Sequence, residues 1–98
     1  MSKYAMYRRR GSSPAGESTA PALPAVPLTI LADTILDWTG YAGPDPDHWF
    51  ITLNTVFWND AGGSDRQYLG ATDPGDYQVV GRTSDDTDVT QLSNIVTQ

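Results

Sequence analysis

The sequence predicts a small all-β fold, an antiparallel sandwich preceded by an extended N-terminal arm. Short runs of β-branched and aromatic residues recur every 8–12 residues or so between turn-forming residues, as in small sandwiches. No window of about 11 residues places apolar residues at helical spacing. The chain has 98 residues, 39% of them hydrophobic and three of them Trp. That composition is sufficient for one small core.

The charge is divided between the two parts of the chain. Residues 1–16 contain Lys3, Arg8, Arg9 and Arg10 and no acid. From Glu17 onward there are twelve acids, and the basic residues are Arg66 and Arg82. The formal net charge of −6 is therefore the sum of +4 on the arm and −10 on the remainder. This division favours an arm that docks on another surface and a body that faces water.

The residues after the arm predict a spacer. Residues 11–16 are rich in Gly and Ser and have strong turn chemistry, which predicts flexibility. The prolines between Pro14 and Pro27 favour an extended, semi-rigid segment over a helix. We therefore divide the chain into an arm and Pro/Ala-rich linker, residues 1–26, and a folded domain, residues 27–98.

Within the folded domain, β-type runs alternate with turns. Residues 48–58 form the most strand-like segment because they are dense in aromatic and β-branched side chains. Residues 40–47 form a long loop, and residues 59–64, 73–76 and 84–88 form turns. The predicted strands are, in chain order, 28–31, 34–39, 48–58, 66–72, 77–83 and 89–97.

Alternation along these strands predicts which side chains face inward. Leu36 and Trp38 share one face of the second strand, and we expect Trp38 to be the most central residue. The predicted core is Leu28, Ile30, Leu36, Trp38, Trp49, Ile51, Leu53, Tyr77, Val79 and one of Ile95 and Val96.

Several segments of the sequence resemble fibronectin type III domains. Pro-Gly-Asp-Tyr at residues 74–77, followed by Leu-Ser-Asn-Ile-Val at 92–96, is similar to that family's last hairpin. Residues 36–38 resemble its tryptophan-bearing second strand, and residues 48–53 its third. The Pro-Gly-Asp-Tyr spacing is tighter than the family's usual form. The resemblance covers residues 27–98 and implies an immunoglobulin-like sandwich with one strand trimmed or merged into a loop.

This resemblance also implies a class of function. Cysteine-free domains of this kind are common on tailed-phage virion proteins, and the basic arm with its spacer is similar to the way capsid decoration proteins and head fibres attach. It implies a non-enzymatic capsid decoration or head, neck or tail accessory protein, bound to other virion proteins through residues 1–26. The alternative is an adhesion module that binds a surface glycan or a host protein.

The first candidate binding site is the arm. Tyr4, Met6 and Tyr7 are expected to enter a groove on a protein partner while Arg8–Arg10 pair with carboxylates or phosphates. A disordered, solubilising tail is the main alternative. Nucleic-acid binding is disfavoured because the acidic body repels phosphate.

The second candidate is a surface-recognition loop formed by Tyr41, Asp45, Asp47 and His48, since exposed aromatic rings beside acids suit carbohydrate stacking. A rigid turn that feeds a strand is the alternative. The signature of a glycan-binding module would be an exposed Trp or Tyr in residues 40–47 or near Trp58.

Composition argues against catalysis, cofactors and membrane insertion. The chain has one His and no Cys, which nearly excludes nucleophilic constellations and leaves a zinc site without ordinary partners. Asp85, Asp86 and Asp88 are better explained by side-chain-to-backbone bonding in a turn than by a calcium site. Because residues 1–20 lack the apolar run of a signal peptide, we expect synthesis in the host cytoplasm, with export by another route left open. Location in the virion is what the resemblance implies.

Overall fold

The computed structural model of the chain describes residues 22–98, which form seven β-strands and no helix. The strands make two antiparallel sheets, with the orders β1-β2-β5 and β4-β3-β6-β7. The two sheets pack together, so the prediction of a small all-β sandwich is confirmed. The strands are β1 (Thr29–Leu31), β2 (Ile35–Asp37), β3 (His48–Leu53), β4 (Val56–Gly62), β5 (Gln67–Leu69), β6 (Asp76–Arg82) and β7 (Val96–Thr97).

The predicted strand 48–58 is wrong as a single element, because the segment is a β-hairpin. Asn54 and Thr55 have φ values of 51° and 67°, and two left-handed residues form the tight turn that suits a hairpin. Strand β4 then continues through Gly62, over most of the predicted turn 59–64. The turn was missed because it contains no Gly and lies inside a dense run of strand-forming residues.

An irregularity in β4 sends Trp58 into the sandwich. Ile51 pairs with Asn59 while Thr52 pairs with Phe57, so Trp58 has no partner on β3 and forms a β-bulge. The ring centroid of Trp58 lies 5.3 Å from that of Tyr68 and 5.2 Å from that of Tyr77. The bulge therefore closes one edge of the core with an aromatic cluster.

The predicted last strand, 89–97, is mostly irregular, and regular pairing is confined to Val96 and Thr97. Two amides of β6 donate to side-chain hydroxyl oxygens of this segment instead of to backbone carbonyl oxygens. The Gly81 amide donates to Thr90 Oγ1 at 2.9 Å and the Val79 amide donates to Ser93 Oγ at 2.8 Å. Because hydroxyl side chains compete with backbone acceptors, the segment stays beside β6 without forming a strand.

The core agrees closely with the alternation of the sequence. Trp38, Trp49, Leu36 and Ile51 are fully buried. Ile30, Leu53 and Val96 are partly buried and pack against the core, whereas Ile95 is exposed. The other predicted residues, Leu28, Tyr77 and Val79, are buried as well. Buried apolar residues outside the predicted set are Val26, Tyr41, Ala61, Ala71 and Val80.

The chain packs against the sandwich before Pro27. The carbonyl oxygen of Pro24 accepts the Gln91 amide at 2.9 Å. The Asn94 side chain both accepts from the Leu28 amide and donates to the Leu28 carbonyl, each at 2.9 Å. Val26 is 3% exposed. These contacts determine the point at which residues 1–21 join the fold.

A buried tyrosine joins β6 to the turn before it. The Tyr77 hydroxyl donates to the Asp73 carbonyl at 2.7 Å, the bond of a tyrosine corner. It forms despite the short Pro-Gly-Asp spacing, with Gly75 at a φ of 138°. Burial raises the pKa of the Tyr77 hydroxyl, and the nearby Asp73 carboxylate acts in the same direction.

We expect the free energy of unfolding to fall as the pH rises above about 10, the ordinary tyrosine pKa. Burial also raises the pKa of Tyr41, so the folded chain holds both phenolic protons more tightly than the unfolded chain. The stabilisation is therefore fully present below the unfolded pKa and is lost as the pH rises through the folded-state pKa. Urea unfolding at about pH 8 and about pH 11 measures the loss.

The control for this prediction is the double variant Tyr41→Phe, Tyr77→Phe. It loses two hydrogen bonds and is expected to be less stable at pH 8 by about 1–3 kcal/mol. Its stability should nevertheless change less between the two pH values. An equal alkaline loss in the variant and in the unsubstituted chain would contradict the assignment to these tyrosines.

Candidate functional site

The candidate residues of the described chain gather at one end of the sandwich. The loops 38–47, 63–66 and 83–88 connect strand ends that the antiparallel pairing brings together, since His48 pairs with both Gly62 and Arg82. We call this the loop end. Gln98, whose amide donates to Gly75, lies at the opposite end. The arm candidates Tyr4, Met6, Tyr7 and Arg8–Arg10 lie outside the described residues.

Tyr41 is a core residue at the loop end. It is 6% exposed, and its hydroxyl donates to the Pro44 carbonyl at 2.7 Å. Its ring meets the Trp49 ring edge-on at 5.1 Å, and the Arg66 guanidinium lies 5.1 Å from its centre. Its ring faces are therefore not open for stacking on a sugar, which the recognition-loop hypothesis would require of this residue.

Asp45 and Asp47 are exposed, but both hold neighbouring loops together. The Asp45 carboxylate forms an ion pair with Arg66. Asp47 Oδ2 accepts the Ser84 amide at 2.8 Å, and the Asp47 amide donates to the Arg82 carbonyl at 3.0 Å. Each carboxylate thus links the 40–47 loop to a different neighbouring segment.

His48 bridges two strands and a turn. Its Nδ1 lies 3.1 Å from Asp60 on β4. Its Nε2 lies 3.1 Å from both the Thr83 carbonyl and Asp86. The imidazole therefore ties the start of β3 to β4 and to the 83–88 turn.

The three aspartates of the 83–88 turn have different partners. Asp86 contacts His48, and Asp88 pairs with Arg82 Nε at 2.8 Å. Hydrogen bonds from the hydroxyls of Thr83 and Thr87 lower the pKa of the Asp85 carboxyl. Among residues 22–98, no group of three or more His, Asp or Glu side chains is arranged to hold a metal ion.

The loop end carries most of the acidity of the described chain. Both arginines of this region, Arg66 and Arg82, are already paired with aspartates, so the end is strongly negative. Asp33, Asp73 and Asp76 lie towards the opposite end. The acids on or beside the loop end are Asp37, Asp45, Asp47, Asp60, Asp65, Asp85, Asp86 and Asp88.

A pocket of about 250 Å³ opens at the loop end. Its apolar walls are Pro24, Tyr41, Pro44, Pro46 and Val89, and Asp45, Asp47 and Thr83 complete the lining. The sequence suggested a rigid Pro-Asp-Pro-Asp turn here. It contained no signal for a pocket, because Pro24 and Val89 reach the turn only through the tertiary fold.

The outer face of the four-stranded sheet carries an aromatic stack. Phe50 lies on the central strand β3. The Arg82 guanidinium, on β6, lies 3.9 Å from the centre of the Phe50 ring, and the centre of the Phe57 ring, on β4, lies 4.8 Å from it on the other side. Phe57 is 50% exposed. Trp58, by contrast, is half-buried, and its indole nitrogen donates to Asp73 at 3.1 Å. The exposed aromatic residue near Trp58 is thus Phe57. The sequence showed only that Phe57 lies in a strand and did not indicate that its ring is exposed.

Comparison with protein-family models, with curated proteins and with solved structures finds no match for this chain. In the part of the chain that the structure describes, no helix has the length and apolar character needed to cross a membrane.

Proposed function

We propose that this chain is a non-enzymatic accessory protein of a larger particle, attached by its N-terminal arm and projecting the sandwich. The observation that supports this most is the clamp between residues 23–28 and residues 91–94. Gln91 binds the carbonyl oxygens of both Leu23 and Pro24. The clamp therefore fixes the place on the sandwich from which the arm leaves.

The position of the clamp indicates which end of the sandwich lies near the anchoring surface and which end lies far from it. The described chain enters at the loop end and finishes at the opposite end, beside Gly75. In an arm-anchored arrangement the loop end therefore faces the anchoring surface. The candidate recognition residues Asp45, Asp47 and His48 then belong to the attached side, and the turns at 54–55 and 73–75 project outward.

The state of the titratable side chains supports a non-enzymatic role. At the loop end Asp45, His48 and Asp86 are engaged in ion pairs or hydrogen bonds that hold loops together. These contacts give each of the three side chains a structural role, so their presence does not require that any of them reacts with a substrate. The particle that fits the organisation of arm, spacer and cysteine-free sandwich best is a tailed-phage virion, with the capsid, neck or tail as the attachment surface.

Deletion of residues 1–13 is the test of this proposal. The truncated chain is expected to lose co-sedimentation with its particle, because the cations and aromatic residues of the arm make the attachment. Thermal unfolding serves as the control, since the sandwich lies outside the deletion and its melting temperature should not change. Binding of the truncated chain at the stoichiometry of the full chain would overturn the proposal.

A further inference from the structure

The pocket at the loop end has the size and chemistry to bind one or two side chains of another protein segment. Its volume of about 250 Å³ lies just below the range of roughly 300–1,000 Å³ that is usual for small-molecule sites. Its walls are three prolines, Tyr41 and Val89, apolar groups that suit an apolar or aromatic side chain. One or two inserted side chains would fill it.

The charges around the pocket indicate which residues should lie next to the inserted side chains in the bound segment. Asp45 and Asp47 are exposed carboxylates of the lining, and Asp85 and Asp86 follow Thr83 in the adjoining turn. Each carboxylate has a protein partner in place but retains further acceptor capacity. A segment with aromatic residues next to arginines therefore complements both the walls and the rim.

The chain itself contains such a segment, Tyr4 to Arg10, in which Tyr4, Met6 and Tyr7 precede Arg8–Arg10. We propose that the loop-end pocket binds residues 4–10 of a second copy of this chain. The inference rests on the proposed function in one respect, namely that the arm binds a protein surface, and it adds a second copy of the chain to the particle component as a surface for that arm.

The spacer favours a second copy over the same molecule. Pro24 is part of the pocket wall, so an arm that filled its own pocket would have to return to the start of its spacer. Filling its own pocket would require residues 11–23 to close a loop onto the point at which the chain leaves the sandwich, and loop closure costs chain entropy. A neighbouring molecule has no such constraint.

The contact would be heterologous, because an arm meets a pocket and the two surfaces differ. Heterologous contacts propagate into chains or close into rings. The arm of each added copy would bring positive charge to the negative loop end of the copy before it. We therefore expect self-association of the purified chain that weakens as salt is added.

A complementation experiment tests the proposal. Val89→Trp fills the pocket but keeps the arm, and deletion of residues 1–13 removes the arm but keeps the pocket. By sedimentation velocity at low salt, the full chain should form species larger than dimers, and each variant alone should be monomeric. An equimolar mixture of the two should form a one-to-one dimer and nothing larger. Leu92→Trp, at an exposed position outside the pocket, is the matched control and should associate like the unsubstituted chain.

Three results would overturn the proposal: a monomeric full chain at every concentration, unchanged association of the Val89→Trp variant, or a mixture that stays monomeric. If Val89→Trp does not fold, the triple variant R8Q/R9Q/R10Q replaces it. That variant should associate at least ten-fold more weakly than the full chain, and equal association would count against the inference. Because these measurements contain no particles, they fail or succeed independently of the co-sedimentation test.

Discussion

Replacement of Trp38 with Ala is expected to lower the free energy of unfolding by about 3–5 kcal/mol, the usual cost of removing a large buried aromatic side chain. Trp38 is fully buried, and its ring meets that of Trp49 at 5.6 Å with an interplanar angle of 60°. Domains of this kind have a total stability of about 5–15 kcal/mol. A domain of this size lies near the lower end of that range, so the variant should retain little stability at ambient temperature.

Two conservative variants separate the packing of Trp38 from hydrogen bonding. The indole nitrogen of Trp38 has no hydrogen-bond partner among the described residues, whereas that of Trp49 donates to the Gly63 carbonyl at 3.0 Å. Trp38→Phe should therefore be less destabilising than Trp49→Phe, by about 1 kcal/mol. Urea unfolding followed by circular dichroism measures all three. A loss below about 1 kcal/mol for Trp38→Ala would contradict its central place in the core.

Gly63→Ala is expected to be the most disruptive small substitution, with a loss of about 3 kcal/mol or more from overpacking. A Cβ atom at Gly63 would lie 1.9 Å from the Pro46 carbonyl oxygen and 3.1 Å from that of Asp47. Both are backbone atoms, so no side-chain rotation relieves the clash. The two loops would have to separate, and the bond from Trp49 to the Gly63 carbonyl would be strained with them.

The neighbouring Gly62→Ala variant is the matched control. Its added Cβ would meet Asp65 Oδ2 at 3.2 Å, the end of a side chain that can move. We expect a loss below about 1 kcal/mol for this control. Chemical denaturation of both variants measures the difference, and similar values for the two would show that the 44–47 and 63–66 loops do not approach as closely as described.

The alternation of apolar residues was a reliable guide where strands are long and one face is buried. Trp49 and Ile51 on β3, and Tyr77 and Val79 on β6, were assigned to the core from the sequence and are fully buried. A shift of one residue would turn each of these pairs to the solvent. Burial of one face therefore specifies the register, and the amino-acid order reveals it.

The errors lie where a local signal was weak or where side chains replace backbone pairing. Asn54 and Thr55 make a tight turn without Gly, so the 48–58 segment looked continuous. Thr90 and Ser93 bind β6 through their hydroxyl groups, which no alternation pattern predicts. Tyr41 looked like a loop aromatic because its burial depends on Trp49 and Arg66, which are distant in sequence.

The fold class, the inward faces of the main strands and the separation of a basic arm from an acidic domain can all be inferred from the sequence. These properties depend on local composition and on a period of two residues, both readable along the chain. Only the three-dimensional fold reveals that the acids concentrate at the end where the described chain begins, and that three prolines from two segments line a pocket there. Such features depend on which distant strand ends meet, and antiparallel pairing in three dimensions determines that.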